Sequence, residues 1–213
     1  MKIEGEALYV SKAGKRHRIE GYGSLPDSVE LEKLDVDGSV SFGKIFCDKF
    51  KVDGECSGDS LIAEKVVAEG ECRIDFIKAV KSLEIEGSMK IDSVESADVV
   101  IESRSGTIGE INCTDLRIFD SNDNFDAEFS FGDFSMKFSQ QKSFKKNFSQ
   151  VRIKKITAEN VELENCKVSL IECINANIGS NCDIEKLIVS GKCKIASDSE
   201  VVEVVKNERS VGQ

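Results

Sequence analysis

Leu34-Asp35-Val36-Asp37-Gly38-Ser39-Val40, Phe50-Lys51-Val52-Asp53-Gly54-Glu55-Cys56, Val66-Val67-Ala68-Glu69-Gly70-Glu71-Cys72 and Leu83-Glu84-Ile85-Glu86-Gly87-Ser88-Met89 are four copies of one pattern. Their glycines follow one another at 16, 16 and 17 residues. Within each copy the apolar residues alternate at period two, which is how a half-buried strand reads. The series runs on without glycine as Val99-x-Ile101-x-Ser103 and Leu116-x-Ile118, and upstream as Ile3-x-Gly5 and Ile19-x-Gly21. A second apolar pair recurs between the glycines: Val29-x-Leu31, Ile45-x-Cys47, Leu61-x-Ala63, Val94-x-Ser96 and Ile111-x-Cys113.

A repeat of 16–17 residues holds about three short strands and their corners. It is too short for a βαβ unit, which needs about 30 residues. An antiparallel meander would show Asn-Gly or Asp-Gly pairs about every 8–12 residues, and only Asp37-Gly38 and Asp53-Gly54 qualify, one full repeat apart. The expected fold is all-β: a parallel β-helix, or β-solenoid, in which each turn stacks on the last. Inward residues then form ladders such as Leu34/Phe50/Val66/Leu83/Val99/Leu116, with glycine at a corner that needs positive φ or close backbone approach. The pattern resumes in looser form from Val151-x-Ile153 to Leu187-x-Val189-x-Gly191-x-Cys193, with a last strand over Val201–Val205. This divides the chain into an N-terminal cap or flank (1–18), a main solenoid (19–118), an irregular insertion (119–150), a C-terminal solenoid segment (151–205) and a tail (206–213).

The chain has 213 residues, 40% of them apolar, and a formal charge of −10. No apolar run approaches the ~20 residues of a membrane span. Acids at Glu4 and Glu6 interrupt any leader-like apolar stretch, so a cytoplasmic location is expected. The charge is uneven: residues 1–18 carry +3 and residues 134–158 carry +7, which leaves −20 for the rest, mostly on outward rung positions. The insertion holds eight of the 12 phenylalanines, and its second half interleaves them with lysine. Phe134, Phe138, Lys142, Phe144, Lys145, Lys146 and Phe148 are the candidate partner-contact residues. Phenylalanines covering a solenoid flank while the lysines stay in water is the favoured arrangement. Contact with an anionic membrane surface or an envelope-associated protein comes next, and nucleic acid is not an expected partner.

Chemistry-bearing patterns are sparse. Eight cysteines include no Cys-x-x-Cys pair, so zinc-site spacing is missing. Cys56 and Cys72 occupy equivalent rung positions, as do Cys47 and Cys113, and Cys166 and Cys182 are 16 residues apart. All read as small core residues, within disulfide reach of a stacked neighbour and reduced in a cytosolic setting. His17, inside Lys15-Arg16-His17-Arg18, reads as a solvated surface residue. Asp120, Asp123, Asp126 and Asp133 read as turn residues rather than catalytic carboxylates. No phosphate-binding or dinucleotide fingerprint is present. The expectation is a non-enzymatic protein with no catalytic residue, cofactor or metal.

The turns Val36-Asp37-Gly38-Ser39-Val40, Lys51-Val52-Asp53-Gly54-Glu55-Cys56 and Glu84-Ile85-Glu86-Gly87-Ser88-Met89 resemble the rungs of the bactofilins, the polymer-forming cytoskeletal family of bacteria. Thr157-Ala158-Glu159-Asn160-Val161-Glu162-Leu163-Glu164-Asn165-Cys166 and Ile178-Gly179-Ser180-Asn181-Cys182-Asp183-Ile184 are similar to the second solenoid segment of longer firmicute members. The resemblance implies a right-handed β-helix that assembles end to end into filaments without nucleotide. It also implies a scaffolding role in cell shape or envelope organisation. Open strand edges at the two ends of a solenoid favour the same outcome, because they must be capped or used for pairing. Val36 and Val40 near one end and Val189 and Val201 near the other are the candidate self-association residues, with a further copy of the chain as partner. The competing classes are a monomeric or small-oligomer binding module working through the Phe/Lys segment and a carbohydrate-active β-helix enzyme.

Overall fold

In the computed structural model, residues 2–4, 7–8, 16–120, 128–131, 134–137 and 150–207 are described. The strands are β1 (Lys2–Glu4), β2 (Ala7–Leu8), β3 (Arg16–Ser24), β4 (Ser28–Glu102), β5 (Gly106–Asn112), β6 (Asp115–Phe119), β7 (Glu128–Phe131), β8 (Phe134–Lys137), β9 (Val151–Leu163), β10 (Cys166–Ile178), β11 (Asp183–Val189), β12 (Cys193–Ile195) and β13 (Glu200–Lys206). Eleven of them form one parallel sheet that winds as a β-solenoid of about ten turns. The 75-residue β4 is several turns whose corners are so tight that the backbone stays laddered throughout. Among the described residues there is no helix.

The register is the one the repeat predicts. Ile3 pairs Ile19 and Gly21 pairs Gly38. One inward column runs through His17 and Leu34, then Phe50, Val66 and Leu83, then Val99, Leu116, Val161, Ala176 and Cys193. Its members from Leu34 to Leu116 are all essentially inaccessible to solvent. A second column, Ile91, Ile108, Ile153, Val168, Ile184 and Val201, stacks β-branched side chains, whose stiff χ1 suits a repeating ladder. Ile77 and Ala79 complete the Ile45/Cys47 series at the turn where the sequence pattern had a gap, and both are buried.

The corner glycines behave as their conformation requires. Gly38, Gly54, Gly70 and Gly87 all have φ between 117° and 129°. Each packs against the carbonyl of the glycine one turn earlier, so a Cβ would overlap that oxygen. After Gly87 the slot passes to Ser103, Asp120 and Asn165, polar residues that the stack buries. Asn165 and Asn181 carry the left-handed backbone there, at φ 53° and 55°, and asparagine tolerates that region better than most side chains. Asn181 Nδ2 donates to Asn165 Oδ1 at 2.6 Å. An asparagine ladder has replaced the glycine ladder.

The insertion leaves the stack at this same corner. Gly106 pairs directly with Val151 and Leu116 with Val161, a step of 45 residues where the step before it is 17. The two solenoid segments are therefore contiguous turns of one ladder, and the intervening chain replaces a single corner. Within it, β7 and β8 form an antiparallel hairpin.

Candidate functional site

The four residues expected at the ends do not all lie there. Val36, Val40 and Val189 are buried within the stack. Val36 sits above Ile19 in the ladder, and Val189 is sandwiched between Cys173 and Lys206. Their hydrophobic alternation marks a position inside the tube, and proximity to an end in sequence does not expose them, because β1 and β2 add to the ladder beyond β3 and β13 adds to it beyond β11. Val201 is the member placed on a terminal turn, half-buried beneath nothing but its own column.

That last turn is apolar and open among the described residues. Ile195 is 37% exposed and Val204 44%, whereas Ile178 and Leu187, one turn earlier in the same columns, are at 1% and 0%. Val202, pointing away from the tube, is 72% exposed. Among the described residues β12 pairs only with β10 and β13 only with β11, so within that set both present a parallel edge that no further strand uses. The polar contacts nearby are Lys186 Nζ to Glu203 Oε1 at 2.8 Å and Ser199 Oγ donating to the Gly179 carbonyl at 2.5 Å; neither covers the edge.

The other sequence-level candidates are placed as follows. His17 is buried at 6%, a correction to its reading as a surface residue: alternation turns Arg16 and Arg18 outward and His17 inward, below Leu34. Asp120 is held by Arg104 Nε at 2.9 Å. Asp123, Asp126 and Asp133 lie outside the described residues, as do Phe138, Lys142, Phe144, Lys145, Lys146 and Phe148; Phe134 is described only as the first backbone position of β8. All eight cysteines are free thiols. Burial, with Asp48 nearby, pushes Cys47 up to about 12, and burial, with Asp115 and Asp98 nearby, does the same for Cys113. Cys72 is raised by its hydrogen bond with Cys56 and by burial. Among the described residues no three His, Cys, Asp or Glu side chains group to hold a metal ion, and no helix is long and apolar enough to cross a membrane.

Sequence reasoning missed the side-chain ladders of the C-terminal segment. Asn160 Nδ2 donates to Asp115 Oδ1 and Asn175 Nδ2 to Asn160 Oδ1, both at 2.8 Å, and Asn175 Oδ1 accepts from the Lys192 amide at 3.0 Å. The 15-residue spacing of Asn160 and Asn175 was the available signal. Comparison with protein-family models, with curated proteins and with solved structures finds no match for this chain.

Proposed function

We propose that this chain is a non-enzymatic scaffold, bactofilin-like in character, that associates end to end into nucleotide-independent filaments serving cell shape or envelope organisation. The observation that carries this reading is the uncovered last turn, where Ile195 and Val204 lie exposed in columns that are otherwise solvent-free. Among the described residues the parallel ladder has no strand beyond β12 and β13, and a further copy would continue both the backbone hydrogen bonds and the apolar columns. The strand-on-strand spacing of about 4.8 Å needs no new geometry for such a joint. Rigid turns also suit a scaffold, since each is tied to its neighbours by a full set of ladder bonds.

The test is sedimentation velocity and negative-stain electron microscopy of the chain over rising concentration, without nucleotide. Oligomers or filaments that Val204→Lys shortens or abolishes are expected, because the variant places an ammonium in the joint. Monomers alone at high concentration, or polymers indifferent to Val204→Lys, overturn the reading. Val189 is unsuitable for this purpose, because charge at a buried rung unfolds the turn and confounds the result.

A further inference from the structure

One flank of the solenoid carries a groove of about 1130 Å³ that runs along the tube axis, crossing seven turns from Val67 to Lys194. At about 4.8 Å per turn it is on the order of 30 Å long, enough for about nine residues of extended chain. Its floor is largely apolar, with Val67, Val100, Ala97 and Phe119 contributing. Seven carboxylates line it against three cations, Arg117, Lys192 and Lys194, and the two lysines sit together on its last turn.

The acids of the groove fall into two sets. Glu69 and Glu84 pair with lysines one turn away, Lys51 at 3.2 Å and Lys65 at 3.8 Å, as Glu64, Glu95 and Glu172 do elsewhere on the surface. Glu86, Asp98 and Glu102 have no ion pair among the described residues, and Asp98 Oδ1 is buried without a hydrogen-bond partner. Burial, together with Glu86 and Asp120, holds the Glu102 carboxyl above its ordinary range, and burial, with Asp115 and Glu84 adding to it and Arg117 opposing, does so for Asp98. An elongated apolar trough with three carboxylates lacking an ion pair on its middle turns, Glu86, Asp98 and Glu102, is complementary to one kind of occupant.

We propose that this groove docks an extended segment of a partner protein in which lysines or arginines alternate with apolar side chains, its cations lying over the turns of Glu86, Asp98 and Glu102. The apolar side chains fill the trough, and the cations replace the neighbours that the groove carboxylates lack. The strands run across the groove and their backbone groups are already laddered, so recognition is by side chains and tolerates a range of sequences. The groove's last turn, Lys192 to Lys194, borders the open end, and Glu86, Asp98 and Glu102 lie several turns away from it.

The experiment measures binding of a fluorescein-labelled peptide of about nine residues, Lys-Ser-Phe repeated, to the full chain by anisotropy. Glu86→Gln/Glu102→Gln is expected to weaken it about tenfold. Glu64→Gln/Glu95→Gln, which removes the same charge from the ion-paired surface, is expected to change it less than twofold. Val100→Lys on the groove floor should weaken binding by a separate route, by filling the trough and repelling the peptide. Thermal melts of each variant establish that it is folded. No binding, or equal weakening by both double amide variants, overturns the proposal, the latter assigning the effect to the general field of an acidic protein. A groove variant that changes the sedimentation of the peptide-free chain assigns the groove to a second copy. Removal of residues 121–149 that tightens peptide binding assigns it to the chain's own basic segment. Either result overturns the partner-protein assignment.

Discussion

Gly54 shows how one residue holds a turn. Its φ of +127° and its contact with the Gly38 carbonyl leave no room for a Cβ, so Gly54→Ala combines backbone strain with a steric overlap. The expected cost is about 3 kcal/mol or more, read as a fall in Tm of about 10 °C; a change under about 2 °C would mean the corner relaxes freely. Gly58 is constrained differently, because the ring of Phe42 occupies the space its side chain would need. The thiols make a second residue-scale prediction. With Cys47 and Cys113 pushed up to about 12 from an ordinary 9.0, their thiolate fraction at pH 8 falls about a thousandfold. Alkylation by iodoacetamide, which needs thiolate, should therefore be far slower in the folded chain than after denaturation. The sign for stability follows from linkage. The folded state holds these protons more tightly, so their stabilisation is complete below about pH 9 and is lost as pH rises toward 12. Cys47→Ala should flatten that alkaline decline in chemical-denaturation midpoints.

At the scale of elements, the corner between β6 and β9 explains how the chain carries 28 extra residues without losing register. The stretch from Glu102 to Ser105 joins β4 to β5 where residues 119–150 join β6 to β9, and the flanking pairs Ile101–Ile118 and Gly106–Val151 are neighbours in the same ladder. Loop-closure entropy grows only slowly with length, so a long corner costs little more than a short one. Replacing residues 120–150 by Ser-Arg-Ser, the corner of the preceding turn, should leave the far-UV circular dichroism of a β-solenoid and a Tm within a few degrees of the parent. Loss of the fold would show that the insertion contributes to the core. The groove acids make a second prediction at this scale. Asp98 and Glu102 have carboxyls raised by burial and like charge, so their ionisation opposes folding at neutral pH. Asp98→Asn and Glu102→Gln should each raise Tm at pH 7, and the gain should shrink as pH falls toward 4, where the parent carboxyls protonate.

For the whole molecule, stability and association are two aspects of one ladder. Each turn contacts only its neighbours, so the tube has no closed core and its two ends are the points at which that ladder stops. The surface between the ends is covered by inter-turn pairs such as Lys78–Glu95 and Lys186–Glu203; these are exposed and individually weak, but they keep charge of both signs on the outside. The net charge of −10 should make any end-to-end association salt-dependent, since like-charged tubes repel outside their joints. Raising ionic strength from 20 to 200 mM is therefore expected to lengthen oligomers in sedimentation; shortening would place an attractive ion pair at the joint.

The sequence by itself determined the period, the strand alternation and the solenoid. Those depend on local rules: alternation at period two says which side chains turn inward, and a glycine every 16–17 residues marks a corner whose φ few other residues can adopt. The column Leu34/Phe50/Val66/Leu83/Val99/Leu116 and the glycine slot were legible for that reason. His17 was not, because three flanking cations describe its outward neighbours and conceal its own inward phase. The asparagine corners at Asn165 and Asn181 were hidden because asparagine is common in ordinary turns, and only the stacked backbone shows it standing where glycine stood. Which valines are buried and which are open was decided by tertiary structure alone. Val189 and Val204 are both valines of the C-terminal segment, yet among the described residues the first has a turn on each side and the second has a turn on one. The groove is likewise a tertiary property: its lining comes from seven turns that are far apart in sequence, from Val67 to Lys194, so it exists only when the turns are stacked.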